Sequence, residues 1–303
     1  MDVIELRPLR VRRNGRPVSL GRIAVDPGDP ELARLREDVE RHNALAAAIP
    51  VEGCAPPCWR RLFRGCRAFG GHWHTAGAAG SYQAMPAADR TGLLRIGGEP
   101  VAEADVRASH LTVLHGLAGH PLPDRDPYAV EGFPREVVKH WITATLGRGS
   151  PARQWPKGAP AACHGLSSKA LGKVLIARFP VLADPAALVP PDLAARFGGK
   201  PRPLLGHYLA GLEAAALTRA MAILRETRGV LALPLHDALI VPRSAVEAAA
   251  EALSAAYLAV AGIVPRLHVR GAEADASIAP DLSPGGNVDA SPGDGPDAPP
   301  FRA

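Results

Sequence analysis

Two strongly apolar runs flank one polar pair in residues 229–243, GVLALPLHDALIVPR, and this stretch constrains the fold more than any other. Both runs are short and rich in Leu, Ile and Val, which is typical of two buried β-strands joined by a turn. His236 and Asp237 then occupy the turn. A carboxylate beside a sheet core loses hydration, so we expect a cation, a cluster of N–H groups or a metal ion near Asp237. The alternative is an ordinary turn residue, because aspartate is a common turn former.

The composition is that of a globular, basic chain. Of its 303 residues 47% are hydrophobic, which suffices for a sizeable core. The formal net charge is +5, and residues 272–303 contribute −5 because they hold six acids and one base, so residues 1–271 carry +10. That charge suits a polyanionic partner without requiring one. The Pro, Gly, Asp and Ser content of residues 272–303 predicts a disordered acidic tail.

Location and metal content are weakly constrained by the sequence. No apolar run approaches the roughly twenty residues of a membrane span, and the start MDVIELRPLRVRRNGR lacks the apolar core of a secretory signal. We therefore expect a cytoplasmic protein with no membrane partner and with reduced cysteines. One group of side chains could supply zinc ligands, but the spacing C-x3-C-x7-C-x5-H-x-H is not among the strong zinc patterns and leaves zinc binding open. These side chains are Cys54, Cys58, Cys66, His72 and His74.

Residues 1–90 are predicted to form a basic region of helix and loops. A helix is expected over residues 30–49, because apolar residues recur at helical spacing after Pro30. Residues 50–90 are rich in Gly and Pro, which predicts loops and short pieces on a surface. Their run CWRRLFRGCRAFGGHWH interleaves Arg with Trp and Phe, and this suits either nucleic-acid contact or cation–π packing within the fold.

The next segment combines an acidic strand with a helix. EPVAEADV, residues 99–106, predicts a strand in which Glu103 and Asp105 are two residues apart and point to one face. We expect Glu103 to be a salt-bridge partner rather than a metal ligand. A helix follows, with Ser109 as its N-cap and Gly119 as its end.

Four more helices and a strand complete the predicted elements. Pro134 begins a helix that places Arg135 and Lys139 one turn apart on one face. Helices are also expected over residues 169–177, over residues 206–227 and from a Ser244 N-cap to about residue 262, and VPRLHVR predicts a last strand.

The order of these parts resembles that of the family A DNA polymerases, the polymerase I-like group, over roughly residues 60–271. The compact form is similar to polymerase-like proteins of phages and mobile elements. EADVRASHLTVLHGLAG looks like that family's motif A, a strand ending in a metal-binding aspartate, which places Asp105 in that role. The helix with Arg135 and Lys139 resembles motif B, and the hairpin with His236 and Asp237 resembles motif C.

A segment upstream adds to the resemblance, and three positions depart from it. SYQAMPAADR is similar to the family's Gln-x-x-Pro segment through Gln83, Pro86 and Arg90. Five residues after the motif A aspartate the family has a glutamate, where this chain has His110. The Tyr-Gly that closes the family's cationic helix is absent, and Leu146-Gly147 stands one residue short of its place. After the motif C aspartate the family has a glutamate, where this chain has Ala238.

The resemblance implies an α+β fold: a polymerase palm of antiparallel strands with packed helices within residues 91–271, reduced fingers over about residues 120–205, and little or no thumb. It implies a template-directed nucleotidyltransferase that adds dNTPs to a DNA primer-template, with two Mg²⁺ ions or Mn²⁺ bridged by two aspartates. The alternatives are a single-subunit RNA polymerase-like enzyme and an inactive polymerase-like nucleic-acid-binding protein.

The resemblance also implies residue roles. Asp105 and Asp237 hold metal, and His236 orients the site or contacts the primer. His110 either excludes the ribose 2′-hydroxyl or is a packing histidine of its helix. The implied substrate-binding residues are Arg135, Lys139, His110, Gln83 and Arg90.

Overall fold

The computed structural model describes residues 2–9, 11–13, 16–18, 21–26, 28–77, 79–122 and 125–271, so the tail predicted to be disordered lies outside the described residues. The described strands are β1 Ile4–Arg7, β2 Val11–Arg13, β3 Arg16–Val18, β4 Val51–Glu52, β5 Trp59–Arg64, β6 Cys66–Thr75, β7 Arg95–Ile96, β8 Glu99–Val106, β9 Leu233–Leu235, β10 Ala238–Pro242 and β11 Leu267–Arg270. The described helices are α1 Pro30–Ala48, α2 Ala87–Leu93, α3 Ser109–Leu117, α4 Arg135–Arg148, α5 Ser168–Arg178, α6 Pro191–Arg196, α7 Leu205–Arg228 and α8 Val246–Ala261.

A six-stranded antiparallel sheet carries the predicted acidic strand at its centre. Strand β8 pairs with β10 on one side and with β11 on the other, and β9 extends the sheet beyond β10. Asp105 lies opposite Ala238 of β10 and opposite His268 of β11. The predicted hairpin of residues 229–243 is confirmed, with His236 and Asp237 as its two-residue turn. The α+β class, with helices packed on an antiparallel sheet, is also confirmed.

The basic aromatic run forms strands, so the prediction of loops over residues 50–90 is wrong there. Strands β5 and β6 pair as a hairpin, and β1 adds to β5 in parallel to make a second sheet. Trp59, Phe63 and Trp73 are buried from this hairpin. Arg61 lies on the same buried side, 4% exposed, with its guanidinium 5.0 Å from the Phe63 ring. This buried arginine interrupts the polar and apolar alternation that would have predicted a strand.

Helix α7 connects the two sheets. It buries a long apolar face and packs against both β6 and α8. Close approach to β6 depends on Gly211, because a Cβ at this position would lie 2.0 Å from the Ala68 carbonyl oxygen. A hydrogen bond from Trp73 Nε1 to Thr218 Oγ1, 2.9 Å long, adds a second link between α7 and β6. One hydrophobic core therefore runs through both sheets.

Two predicted helix caps are wrong. The N-cap of α3 is Ala108, whose backbone is left-handed at φ 52° and ψ 45°. The Ser109 hydroxyl instead hydrogen-bonds the Tyr257 hydroxyl at 2.8 Å. Helix α8 begins after Ala245 without a side-chain cap, so Ser244 does not cap it. Ser109 lies one residue after the N-cap of α3, and Ser244 lies one residue before the N-cap of α8.

A pair of strands joins the two predicted regions, residues 1–90 and residues 91–271. Strand β4 lies in the region 1–90 and pairs with β7 of the region 91–271. The region 1–90 contains strands as well as helices and loops, whereas the boundaries between the predicted domains stay a prediction.

One described helical stretch, Arg243–Ala261, is long and apolar enough to cross a membrane by length and composition, contrary to the expectation from the sequence. The core helices of soluble proteins pass the same test, and α8 buries Leu253, Ala256 and Tyr257. The absence of a membrane partner stays a prediction.

Candidate active site

Asp105 and Asp237 lie on neighbouring strands at the same end of the central sheet. Asp105 is the penultimate residue of β8, and Asp237 immediately precedes β10. The amide of Val106 donates to the Asp237 carbonyl oxygen over 3.2 Å, so the backbones that carry the two carboxylates are hydrogen-bonded to each other. Both side chains line one open cavity of about 930 Å³.

The pKa values of both carboxyl groups are raised. Burial is the largest cause for Asp237, followed by repulsion from Glu213 and Asp105, and together they raise its pKa to about 7. Burial also raises the pKa of Asp105, where Arg270 opposes the change and Glu103 adds to it. Negative charge in this cavity is thus incompletely compensated by the surrounding side chains.

Arg270 of β11 pairs with both acids of β8. Its Nη2 donates to Asp105 Oδ2 over 3.2 Å and its Nη1 to Glu103 Oε1 over 3.1 Å. Arg90 donates to the other Glu103 oxygen over 3.0 Å. Glu103 is buried and bound by two arginines, which agrees with the salt-bridge role expected for it.

The cationic helix faces the two carboxylates across the cavity. Arg135, Lys139, Thr143 and Gly147 recur at one-turn spacing along α4 and line the cavity. Lys139 is close enough to lower the pKa of both Asp105 and Asp237. The helical face predicted from the spacing of Arg135 and Lys139 therefore points into the cavity.

Tyr128 and Asp126 hold the first of these cations in place. Arg135 Nε donates to Asp126 Oδ2 over 2.6 Å, and its guanidinium lies 5.0 Å from the centre of the Tyr128 ring. Lys139 Nζ lies 6.0 Å from the same ring. Burial first, with the nearby acids adding to it and Arg135 opposing, raises the pKa of Tyr128 to about 12, so its hydroxyl stays protonated at neutral pH.

His110 lines the cavity from the first turn of α3 and contacts a carboxylate that no sequence motif indicated. Its Nε2 lies 3.5 Å from Glu213 Oε2, and His72 Nε2 lies 3.0 Å from Glu213 Oε1. Burial alone would raise the pKa of Glu213, but attraction to His110, a hydrogen bond from His72 and attraction to it, and a hydrogen bond from Ser109 lower that pKa to about 2. Glu213 is therefore ionised at neutral pH.

The cavity thus brings together five of the predicted site residues: Asp105, His110, Arg135, Lys139 and Asp237. The other three, Gln83, Arg90 and His236, are not among its described lining residues. Other lining residues were not predicted as site residues, among them Tyr128, Glu213, His268 and Arg270.

Gln83 and Arg90 make structural contacts in the described structure. Gln83 Nε2 donates to the carbonyl oxygens of Trp73 and Pro234, both at 3.0 Å, and its Oε1 accepts from the Thr75 amide. Arg90 is 8% exposed and pairs with Glu103. Gln83 thus links β6 to β9, and Arg90 contacts β8. The substrate-binding roles of both residues stay predictions.

His236 lies outside the described lining of the cavity. It is exposed, its φ is +51°, and it is close enough to His74 of β6 to lower the pKa of that histidine. A positive φ is uncommon for a residue with a side chain, and such positions cluster at functional sites. The turn thereby separates its two polar residues, with Asp237 in the cavity and His236 beside β6.

The residues missed by sequence reasoning carried unequal signals. Glu213 is a lone charge in the apolar helix segment LAGLEAAAL, which is a detectable anomaly on a buried helix face. Tyr128 lies in a turn-like segment, and Arg270 and His268 alternate in a short strand, so no local pattern separates them from ordinary surface residues. Their convergence follows from strand pairing, which is non-local.

The donors present fit divalent cations of the Mg²⁺ type. Such ions are held by one or two carboxylates, together with waters and substrate phosphates, rather than by an all-protein cage. Asp105 and Asp237 provide two carboxylates on neighbouring strands, and both line the same open cavity. Among the described residues, no group of three or more His, Cys, Asp or Glu side chains is arranged to hold a metal alone.

The zinc alternative meets a geometric obstacle. Cys58 precedes β5 and Cys66 begins β6, so these two cysteines lie at opposite ends of the β5/β6 hairpin. Six residues of extended strand separate such ends by about 20 Å, far more than ligands of one zinc ion allow.

No protein-family model matches the chain, and no curated protein matches it. Among solved structures, the chain is similar to the POL domain of Pol1 from M. smegmatis in complex with DNA primer-template and dNTP, with a TM-score of 0.46 and 16% sequence identity. The similarity covers 79% of this chain and 51% of that one. The chain therefore spans about half the length of that solved structure.

Proposed function

We propose that this protein is a template-directed nucleotidyltransferase, a DNA polymerase that adds dNTPs to a primer. The observation that carries this proposal is the shared cavity, in which Asp105 and Asp237 from adjacent strands face Arg135 and Lys139 from one helix. Paired carboxylates and a cationic helix face match the two charge requirements of phosphoryl transfer, a site for metal and a site for the triphosphate. We also propose a cytoplasmic location.

Asp105 and Asp237 would hold the metal ions. When bound, divalent cations supply charge neutralisation for the triphosphate and activate the primer 3′-hydroxyl as a nucleophile. Asp237 must be ionised for this role: burial and the neighbouring acids raise its pKa to about 7, and a bound divalent cation would favour the ionised form. Arg270 must release or share Asp105 Oδ2.

Arg135 and Lys139 would bind the triphosphate. Arg135 is 60% exposed on its side chain and already carries one carboxylate, Asp126, so an incoming phosphate would replace or join that partner. Tyr128 lies against both cations and limits where they can move. Asp126 and Tyr128 thus orient the cations before substrate arrives.

A second candidate function is nucleic-acid binding without catalysis. The ion pair between Arg270 and Asp105 favours it, because a guanidinium occupies one of the two oxygens that a metal would use. A single-subunit RNA polymerase-like enzyme remains the alternative within the same chemistry, and assays with dNTPs and rNTPs separate it from a DNA polymerase.

Primer extension on purified protein tests the proposal, with Asp237→Asn as the decisive variant. We expect extension by the wild type in Mg²⁺ or Mn²⁺ and a loss of at least about 1000-fold in Asp237→Asn, since one metal-bridging carboxylate is removed. Primer-template binding should stay equal or become tighter, because a negative charge beside a polyanion is lost. The matched control is Asp192→Asn, the same change at an exposed position of helix α6 outside the cavity.

Two results would change the assignment. Tight primer-template binding by the wild type with no extension in either metal identifies the inactive binding protein. Equal activity of Asp237→Asn and Asp192→Asn contradicts the proposed site.

A further inference from the structure

Glu213 stands out as a buried charge that the proposed reaction does not use. It lies on the buried face of α7, between Leu212 and Ala214, and its side chain is 8% exposed. Burying a carboxylate among apolar neighbours is unfavourable unless it is paired, and apolar replacements of such groups are often neutral or stabilising. A glutamate at this position therefore depends on the partners that surround its carboxylate.

The partners of Glu213 come from two other elements. His72 of β6 occupies one carboxylate oxygen at 3.0 Å, and His110 of α3 faces the other at 3.5 Å. Ser109, the neighbour of His110, is close enough to help lower the pKa of Glu213. The carboxylate thus fixes the first turn of α3 relative to β6 from a position at the cavity wall.

This anchoring determines how His110 meets the cavity. With Nε2 directed at Glu213, the imidazole has one ring nitrogen left for other partners, and its side chain remains 39% exposed. His110 stands five residues after Asp105, and both line the cavity that Arg135 and Lys139 enter from the other side. A nucleotide held between the carboxylates and the cations would pass its sugar along this wall.

We propose that Glu213 is a positioning residue that holds His110 as a rigid wall beside the sugar of the incoming nucleotide and thereby sets the preference for dNTP over rNTP. This inference rests on the proposed function. A pocket wall rejects an added hydroxyl only when the wall cannot move, and by a factor of about 100 at most. The carboxylate with its two anchors supplies that rigidity.

The test compares kcat/KM for dATP and ATP in primer extension by the wild type, Glu213→Ala, His110→Ala and the double variant. We expect the ATP to dATP ratio to rise at least about 10-fold in each single variant. The double variant should show little further rise, because both changes disable the same wall. Glu213→Gln retains an acceptor for His110 and should restore part of the wild-type ratio.

Thr218→Val is the matched control. Thr218 lies on the same helix and ties α7 to the same strand through Trp73, but it is not among the described cavity residues. We expect a lower melting temperature with an unchanged sugar ratio. If Glu213→Ala and Glu213→Gln also lower the melting temperature and leave the ratio at the wild-type value, Glu213 is a packing residue and the inference is overturned.

A failure of this inference can be distinguished from a failure of the proposed function. If the wild type does not extend a primer, the polymerase proposal fails, and equilibrium binding of dATP and ATP to the wild type and Glu213→Ala then decides the role of Glu213. A preference for dATP that disappears in Glu213→Ala supports the inference. Equal affinities in the wild type overturn it.

Discussion

Glu213 keeps its negative charge inside the protein because two histidines and a serine surround it. Its pKa falls from the ordinary 4.5 to about 2, so the folded protein holds this site deprotonated where the unfolded chain binds a proton. A lowered carboxyl pKa contributes stability that is complete above pH 4.5 and is lost as the pH falls toward 2. The whole contribution is about 3 kcal/mol.

Glu213→Gln should flatten the acid limb of the stability profile. The wild type is expected to lose about 2 kcal/mol of unfolding free energy between pH 6 and pH 3 through this one group, and the variant should lack that loss. Denaturant titrations at a series of pH values measure the difference. Glu251→Gln, which changes a carboxylate that is 72% exposed, is the control, and identical slopes for the two variants would contradict the assignment.

The turn residues illustrate how one backbone angle separates two roles. His236 takes the first turn position with positive φ, and Asp237 takes the second. Glycine or asparagine is the usual choice at such a position, because a Cβ is strained there. The strain is the physical cost of directing an imidazole toward β6 and a carboxylate toward β8 from consecutive residues.

At the scale of elements, the contact between α7 and β6 determines where α7 places Glu213 at the cavity. Gly211→Ala would place a methyl group 2.0 Å from a backbone carbonyl oxygen, so the helix must move off the strand. We expect a loss of about 2 to 3 kcal/mol in unfolding free energy, as for other overpacked sites. Glu213 lies two residues away, so the ATP to dATP ratio should rise in the same variant.

Gly92→Ala provides the comparison for Gly211→Ala. Gly92 is also helical, and a Cβ there would contact nothing within 4 Å. Alanine at an open helical position is expected to be neutral or to stabilise the protein by up to about 1 kcal/mol. Thermal or denaturant unfolding measures the change in unfolding free energy for each variant. Equal changes in Gly211→Ala and Gly92→Ala would falsify the steric account.

The elements that the sequence predicted correctly are those with unbroken periodicity. The helix Pro30–Ala48, the strand Glu99–Val106 and the hairpin around Asp237 each follow one pattern from end to end. Strand β5 was missed because Arg61 is buried beside the aromatics, stabilised by ring contacts and a bond to the Gly71 carbonyl oxygen that no local pattern reveals.

The residues of the candidate site also fall into those that a local sequence pattern indicated and those that only the fold brings together. Asp105, Asp237, Arg135 and Lys139 could be named from motifs, since each motif is local. Glu213 meets His110 across 103 positions of chain and Arg270 meets Asp105 across 165, so only the fold shows these pairs. Gln83 was named from a motif as well, yet its described contacts are structural.

For the whole molecule, part of the +10 charge of residues 1–271 lies beside the cavity. Arg60 and Arg64 share one face of β5, and the register places His72 and His74 of β6 on that face. The pKa of His74 is lowered to about 4, first by desolvation and then by the positive groups around it, which are His72, Arg60, His236 and Arg64. This cationic face adjoins the cavity through the contact of His72 with Glu213.

We predict that a nucleic-acid duplex binds the cationic face beside the candidate site. Phosphates bound by arginines release counterions, so binding weakens with salt in proportion to the number of contacts. We expect the double variant Arg60→Gln and Arg64→Gln to weaken primer-template binding and to reduce the slope of log K against log salt by about 1 to 2. Fluorescence anisotropy between about 50 and 200 mM salt measures both quantities.

The control removes the same charge elsewhere. Arg41 and Arg228 are exposed and paired with Glu37 and Glu251. Arg41→Gln with Arg228→Gln lowers the net charge by the same amount as the first double variant, so a net-charge effect alone would change both slopes equally. If the duplex binds the β5/β6 face, the salt slope falls in the variant with Arg60→Gln and Arg64→Gln. The variant with Arg41→Gln and Arg228→Gln then keeps the wild-type slope. If both double variants lose the same slope, the duplex is held by the overall charge of the chain and not by this face.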